Sequence, residues 1–218
     1  LSDEFRERYQ LADLASCVTA IHFPRNQQQY LQARKRLVFD EFLLFILGIR
    51  QLKERAETTE NFYPMKRVSD TKQILENLPY QLTDAQKKVW QQIEADLQGE
   101  SLMSRLIQGD VGSGKTILAY LAMIMAVKNG CQAALMAPTE VLAVQHYQGL
   151  LQLFQEQGIT DVRAELLTGS HTPKEKRERY ARIESGEAKL IIGTHALIQE
   201  KVCYHSLGLV ITDEQHRF

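Results

Sequence analysis

The sequence predicts an α/β domain, a parallel sheet flanked by helices, with a helical segment in front of it. Three observations predict this. After Gly99, short apolar runs alternate with amphipathic helices; three of the helices are each closed by a glycine; and a glycine-rich loop joins the first run to the first helix. Strand and helix alternating through short connections imply parallel strands covered on both faces.

The predicted strands are Met103–Gln108, Cys131–Ala137, Val162–Leu167, Lys189–Thr194 and Leu207–Asp213. The helices between them are Lys115–Asn129 before Gly130, Glu140–Gln157 before Gly158, and Pro173–Ser185 before Gly186. A glycine just past the last turn is the expected stop, because it takes up positive φ without a Cβ clash. Upstream, Thr83-Asp84-Ala85-Gln86 has the spacing of a capping box and starts a helix at Asp84 that runs to about Leu97.

The leading segment reads as helix from about Gln27 to Glu57, with Leu31, Leu37, Val38, Phe42, Phe45, Ile49 and Leu52 at mostly three-, four- and seven-residue spacings. The run Phe42–Leu47 widens that stripe almost all round, which implies burial on two sides. Residues 56–80 are polar, interrupted by Pro64 and Pro79, and read as a connector. A boundary near Asn77 therefore separates a helical linker, 1–77, from the α/β domain, 78–218. With no initiator Met at the start and a motif at the very end, the chain reads as a piece cut from a larger protein.

Composition excludes several classes of function. Of the 218 residues, 44% are apolar and 24% charged, which is ordinary for a folded globular chain. A net charge of -1 gives no overall pull on polyanions, so any nucleic-acid contact must come from locally placed donors. Cys17, Cys131 and Cys203 are odd in number and far apart, which argues against a disulfide framework or zinc cluster and for a reducing, cytoplasmic setting. No apolar stretch approaches the roughly 20 residues that span a bilayer.

The chemistry concentrates in two places. Gly109-Asp110-Val111-Gly112-Ser113-Gly114-Lys115-Thr116 fits G-x-x-x-x-G-K-[ST] between a predicted strand and a helix. The glycines let backbone N–H groups turn inward around phosphates, and the helix adds the positive end of its dipole. Lys115 would reach the β- and γ-phosphates of ATP, and Thr116 would ligate Mg²⁺. Asp213 and Glu214 end the last predicted strand; Asp213 would hold the Mg²⁺ and Glu214 would orient the attacking water. A strand ending in Asp-Glu says little by itself; paired with the phosphate loop it completes a hydrolytic site.

The loop at 109–116, Ala137-Pro138-Thr139-Glu140-Val141-Leu142-Ala143, Leu166-Leu167-Thr168-Gly169-Ser170, Ile192-Gly193-Thr194-His195-Ala196-Leu197-Ile198 and Asp213-Glu214-Gln215-His216-Arg217-Phe218 are similar, in order and spacing, to the motifs of superfamily 2 helicases, most closely those of the RecG type. The resemblance covers about 80–218, while His22-Phe23-Pro24 and Arg36–Glu41 look like the linker before that motor. It implies a RecA-like ATP-binding lobe of an ATP-dependent DNA helicase acting on branched DNA in recombination and repair, nearly inert without its second lobe. Gln86, with Tyr80 nearby, resembles the glutamine that reads the adenine edge, although Gln86 also serves the capping box. Pro138, Thr139, Glu140, Thr168, Gly169, Thr194 and His195 resemble contacts to the DNA backbone; from residues alone, Thr139 equally describes a helix cap without a ligand. His216 resembles a residue coupling nucleotide state to DNA.

Other readings remain open at this level. Another P-loop ATPase would need an acceptor lid or a dimer signature, neither of which the sequence contains; a degenerate scaffold would be expected to have lost Lys115, Thr116, Asp213 or Glu214. Lys174–Arg179 reads as a solvated helix face, and the helix near Phe42–Ile49 as one that packs against a domain outside this chain and so offers a surface for self-association.

Overall fold

The computed structural model describes residues 2–57, 59–110 and 112–217, with 53–57 and 216 described by their backbone alone. The chain divides into two compact units, Leu1–Thr59 and Glu60–Phe218.

The first unit is helical. It comprises α1 (Asp3–Arg8), α2 (Leu14–His22) and α3 (Gln27–Glu57). Ser2 and Asp13 cap the first two, each accepting from the N–H three residues on. α2 packs against the start of α3 around buried Cys17, Ala20 and Ala33. Arg36 is buried there too, donating to the Asp40 carboxylate at 2.9 Å and to the Ala12 carbonyl at 2.9 Å, so its charge is paired and not stranded. Farther along α3 nothing within this chain covers the apolar run: Phe42, Leu44, Phe45 and Ile46 are all more than half exposed. The physical reason is length. α2 is 9 residues against 31 in α3, so it covers only the beginning of its partner.

The second unit carries α4 (Ser69–Asn77), α5 (Asp84–Gln98), α6 (Lys115–Lys128), β1 (Gln132–Met136), α7 (Glu140–Gln157), β2 (Ala164–Leu167), α8 (Pro173–Glu184), β3 (Leu190–Gly193) and β4 (Leu207–Thr212). The sheet is parallel in the order β2-β3-β1-β4. Alternation along its strands feeds two cores. Leu190 and Ile192 join Ala133, Leu135 and the residues of α5, α6 and α7 on one face, while Ile191 joins Leu167, Ile183 and Leu197 on the other. α6 is apolar on nearly every side, Ile117 through Met125 with few breaks. It lies between α4 and α5 on one side and β1 and β4 on the other, so every face has something to bury against. Gly158 and Gly186 end their helices with φ of 66° and 74°, as the stop signals predict.

The structure departs from the sequence reading at three points here. Met103–Gln108 forms no strand: Met103 and Ile107 lean on the core, but Leu102 and Leu106 face outward and no ladder bonds join the run to β4. An apolar alternation becomes a strand only when an edge accepts it. The connector is also more structured than its polarity implies, since Met65, Thr71 and Ile74 are buried and α4 packs on α6; the units accordingly divide at Thr59/Glu60, ahead of the boundary expected near Asn77. Finally, the face of α8 is only partly solvated. Arg179 and Arg182 both pair with Glu165, a buried carboxylate on β2 that two guanidinium groups neutralise.

Candidate functional site

The glycine-rich loop folds back on itself. Ser113 N–H donates to the Asp110 carbonyl at 3.1 Å, Gly112 and Gly114 take φ of 81° and 75°, and α6 starts at Lys115 with no side-chain cap. Its first N–H groups are therefore available to an anion. The Lys115 ammonium donates to the carbonyls of Gly109 at 2.7 Å and Asp110 at 2.8 Å, while Thr116 is exposed. Val111 lies outside the described residues.

Gln86 is tied to this loop. Its Oε1 accepts from Thr83 N–H at 2.8 Å, which completes the capping box, and its Nε2 donates to the Ser113 carbonyl at 2.7 Å. Both ends of the amide are in use, so an adenine edge would have to replace one of these bonds or use the second lone pair of Oε1. Tyr80 is exposed.

Asp213 follows β4. Its N–H donates to the Met136 carbonyl at 2.9 Å, which sets it beside the end of β1. One carboxylate oxygen lies 2.7 Å from Nε2 of His146 on α7, and the other accepts from Glu214 N–H at 3.0 Å. Glu214 takes φ of 49°, a left-handed value that a short polar turn imposes here, and Arg217 stands 4.0 Å from its carboxylate. Burial, with Asp213 adding to it, pushes the phenol of Tyr120 up to about 12. Tyr120 belongs to α6, about 7.5 Å along the axis from Lys115 at its start. Geometrically, α6 reaches the acidic pair through α7: the Tyr120 hydroxyl donates to the His146 carbonyl at 2.8 Å, and Nε2 of the same histidine meets Asp213.

The remaining residues expected at the site lie along the carboxyl edge of the sheet. The parallel register sets Met136 beside Gly193 and Thr212, and Leu167 beside Gly193, so the loops after β1, β2, β3 and β4 emerge together. Pro138 leads to Thr139, which caps α7 by accepting from Leu142 N–H at 3.3 Å. The Glu140 carboxylate accepts from Ser170 N–H at 2.8 Å, and hydrogen bonds from Ser170, with the Gly169 backbone contributing, hold it below the usual carboxylate range. Thr168 is buried, its hydroxyl 3.1 Å from that of Ser170 and 2.9 Å from His171 Nδ1; Lys176 donates to the Gly169 carbonyl at 2.7 Å. Thr194 is buried with its N–H on the Leu167 carbonyl at 3.3 Å, and exposed His195 opens a 3-10 turn, His195–Ile198. The His216 side chain and Phe218 lie outside the described residues.

His146 and His171 belong to this constellation without having been singled out by pattern, and Lys176 joins it from a helix face read as solvated. For His146 a signal exists: it interrupts the inward face of α7 between buried Ala143 and Leu150, and a polar group on an apolar face is informative where a further apolar one is not. Among the described residues no three His, Cys, Asp or Glu side chains gather as a metal cage, and no helix is long and apolar enough to cross a membrane.

At full coverage, the chain is 46% identical to the ATP-dependent DNA helicase RecG of Synechocystis sp., of which it spans 26%, and 42% identical to the ATP-dependent DNA helicase RecG of Bacillus subtilis, of which it spans 32%. It spans about a third or less of the curated relatives it matches. The structure of RecG bound to a three-way DNA junction matches all of this chain, and 30% of that one, with a TM-score of 0.82 at 37% identity. A hypothetical ATP-dependent RNA helicase from Sulfolobus tokodaii shares the fold, with a TM-score of 0.51 at 17% identity over 69% of this chain and 42% of that one. The four-stranded parallel sheet with its flanking helices is the RecA-like helicase fold. Since residues 83–218 match the family described as DEAD/DEAH box helicase, the chain belongs to that family.

Proposed function

We propose that this chain is the ATP-binding lobe of a DNA helicase or translocase that works on branched DNA. The observation that carries the reading is that Lys115 opens α6 after the glycine-rich loop, while Tyr120 of the same helix is tied through His146 to Asp213. The RecG relatives and the junction-bound structure supply the substrate class.

In this reading, the loop N–H groups of Gly109, Gly112 and Gly114 cradle the triphosphate, the Ser113 N–H exchanges the Asp110 carbonyl for it, and Lys115 exchanges its two carbonyls for phosphate oxygens. Asp213 and the Thr116 hydroxyl hold Mg²⁺. The residues fit such an ion: Mg²⁺ keeps several waters and needs only one or two carboxylates beside phosphate, so a dedicated cage is not required. The ion would neutralise charge on the β- and γ-phosphates. Glu214 orients water toward the γ-phosphate, and Gln86 reads adenine. Pro138, Thr139, Glu140, Thr168, Gly169, Thr194 and His195 form a backbone-reading edge, with N–H groups and hydroxyls that suit phosphate and carry no base information. His216 couples the two sites.

A lone lobe should bind nucleotide and turn it over poorly, because an arginine supplied across the active site is worth about 10³–10⁵ in rate. Titrating this chain with a fluorescent ATP analogue in Mg²⁺ tests the reading. Saturable binding abolished by Lys115→Ala, with negligible DNA-stimulated hydrolysis, is the expected result; no binding at all, or vigorous hydrolysis stimulated by DNA, contradicts it.

A further inference from the structure

We infer that His146 is a positioning residue that fixes the carboxylate of Asp213 for its metal. This rests on the proposed role of Asp213. His146 Nε2 lies 2.7 Å from Oδ2, and an ionised carboxylate can only accept, so Nε2–H donates. The Glu214 N–H holds Oδ1 at 3.0 Å. Two donors from different elements set the plane of the carboxylate, and each oxygen keeps a lone pair for a metal-bound water.

The histidine is itself supported. Its carbonyl accepts from the buried Tyr120 hydroxyl at 2.8 Å, which pins α7 to α6 at the same level as the carboxylate. That hydroxyl has room because residue 149 is glycine: a Cβ there would stand 2.9 Å from it. α7 otherwise packs against β2 and β3, so the histidine extends toward β4 from a helix anchored elsewhere. The same helix begins at Thr139 and Glu140, about 9 Å from His146 along its axis. A leucine would fill this space as well as an imidazole does; what it would lack is the donor.

The test measures affinity of this chain for a fluorescent ATP analogue with and without Mg²⁺, in the unmodified chain and in His146→Leu, His146→Gln and Asp213→Asn. His146→Leu should lose about five- to tenfold of the Mg²⁺-dependent tightening, with Mg²⁺-free affinity unchanged within about twofold. His146→Gln, which returns a donor at similar reach, should recover most of it. In the Asp213→Asn background His146→Leu should add nothing, a comparison that stays readable if either variant is less stable. Full Mg²⁺ tightening in His146→Leu beside a loss in Asp213→Asn overturns this inference alone. An undiminished response in Asp213→Asn removes the metal role of Asp213 and this inference with it. Equal losses with and without Mg²⁺, or His146→Gln failing like His146→Leu, reduce His146 to packing.

Discussion

Lys115 donates to the carbonyl oxygen of Gly109 at 2.7 Å, so the phosphate loop is closed on its own lysine. In the proposed reading a triphosphate would compete with two carbonyls for the ammonium, and it should win because charged acceptors bind a cation more strongly than neutral ones do. Lys115→Ala is expected to abolish saturable Mg-ATP binding while shifting unfolding by no more than about 1–2 kcal/mol. Calorimetric titration and urea denaturation of the same variant check this together, and a large stability loss with retained binding would reverse the assignment.

Gly114 and Gly112 share a left-handed backbone but not their surroundings. A Cβ at 114 would collide with Nε2 of Gln86, whereas a Cβ at 112 meets nothing within 4 Å. Each alanine substitution should cost about 1–2 kcal/mol in backbone strain. Only Gly114→Ala should lose more, and Gln86→Ala should restore that excess without touching the strain. Urea denaturation of the single and double variants reads the difference; equal losses at 112 and 114 would show that the Gln86 contact has no energetic weight.

Where a signal is local, the sequence discloses the structure well. Thr83 closes its capping box, Thr139 caps α7, and the glycines at 130, 158 and 186 stop three helices within a residue of expectation, because each rule involves atoms three or four residues apart. What escapes is decided at long range. The run at 103–108 has the right alternation and no accepting edge, α4 is polar in composition yet buries Thr71 and Ile74, and the pairing of His146 with Asp213 spans 67 residues. The phosphate loop and the acids are legible as separate motifs; the link from Tyr120 through His146 to Asp213 is not, since only packing creates it.

Gln132 illustrates how such long-range ties hold the sheet. Its fully buried amide donates to the carbonyls of Ile183 at 2.8 Å and Ala188 at 2.7 Å, and accepts from the N–H groups of His205 at 2.7 Å and Ser206 at 3.0 Å. One side chain thereby joins β1 to the end of α8 and to the approach to β4. Gln132→Leu keeps the volume but strands these partners, and should destabilise the unit by about 2–4 kcal/mol. Urea denaturation measures it; a loss below about 1 kcal/mol would mean that water replaces the amide.

The last prediction concerns α3. Phe42, Leu44, Phe45 and Leu52 are between 60% and 69% exposed on one helix, far more apolar surface than scattered residues account for. Full burial of such a side chain is worth about 1.5–3 kcal/mol, and association itself costs about 4–15 kcal/mol, so a second copy should cover this surface only weakly. Sedimentation equilibrium is expected to show reversible self-association at micromolar concentrations and above. Phe45→Glu with Leu52→Glu should abolish it without altering nucleotide binding, because neither residue belongs to the unit that carries the phosphate loop. A monomer throughout the accessible concentration range would show that exposure of this surface costs too little to drive pairing.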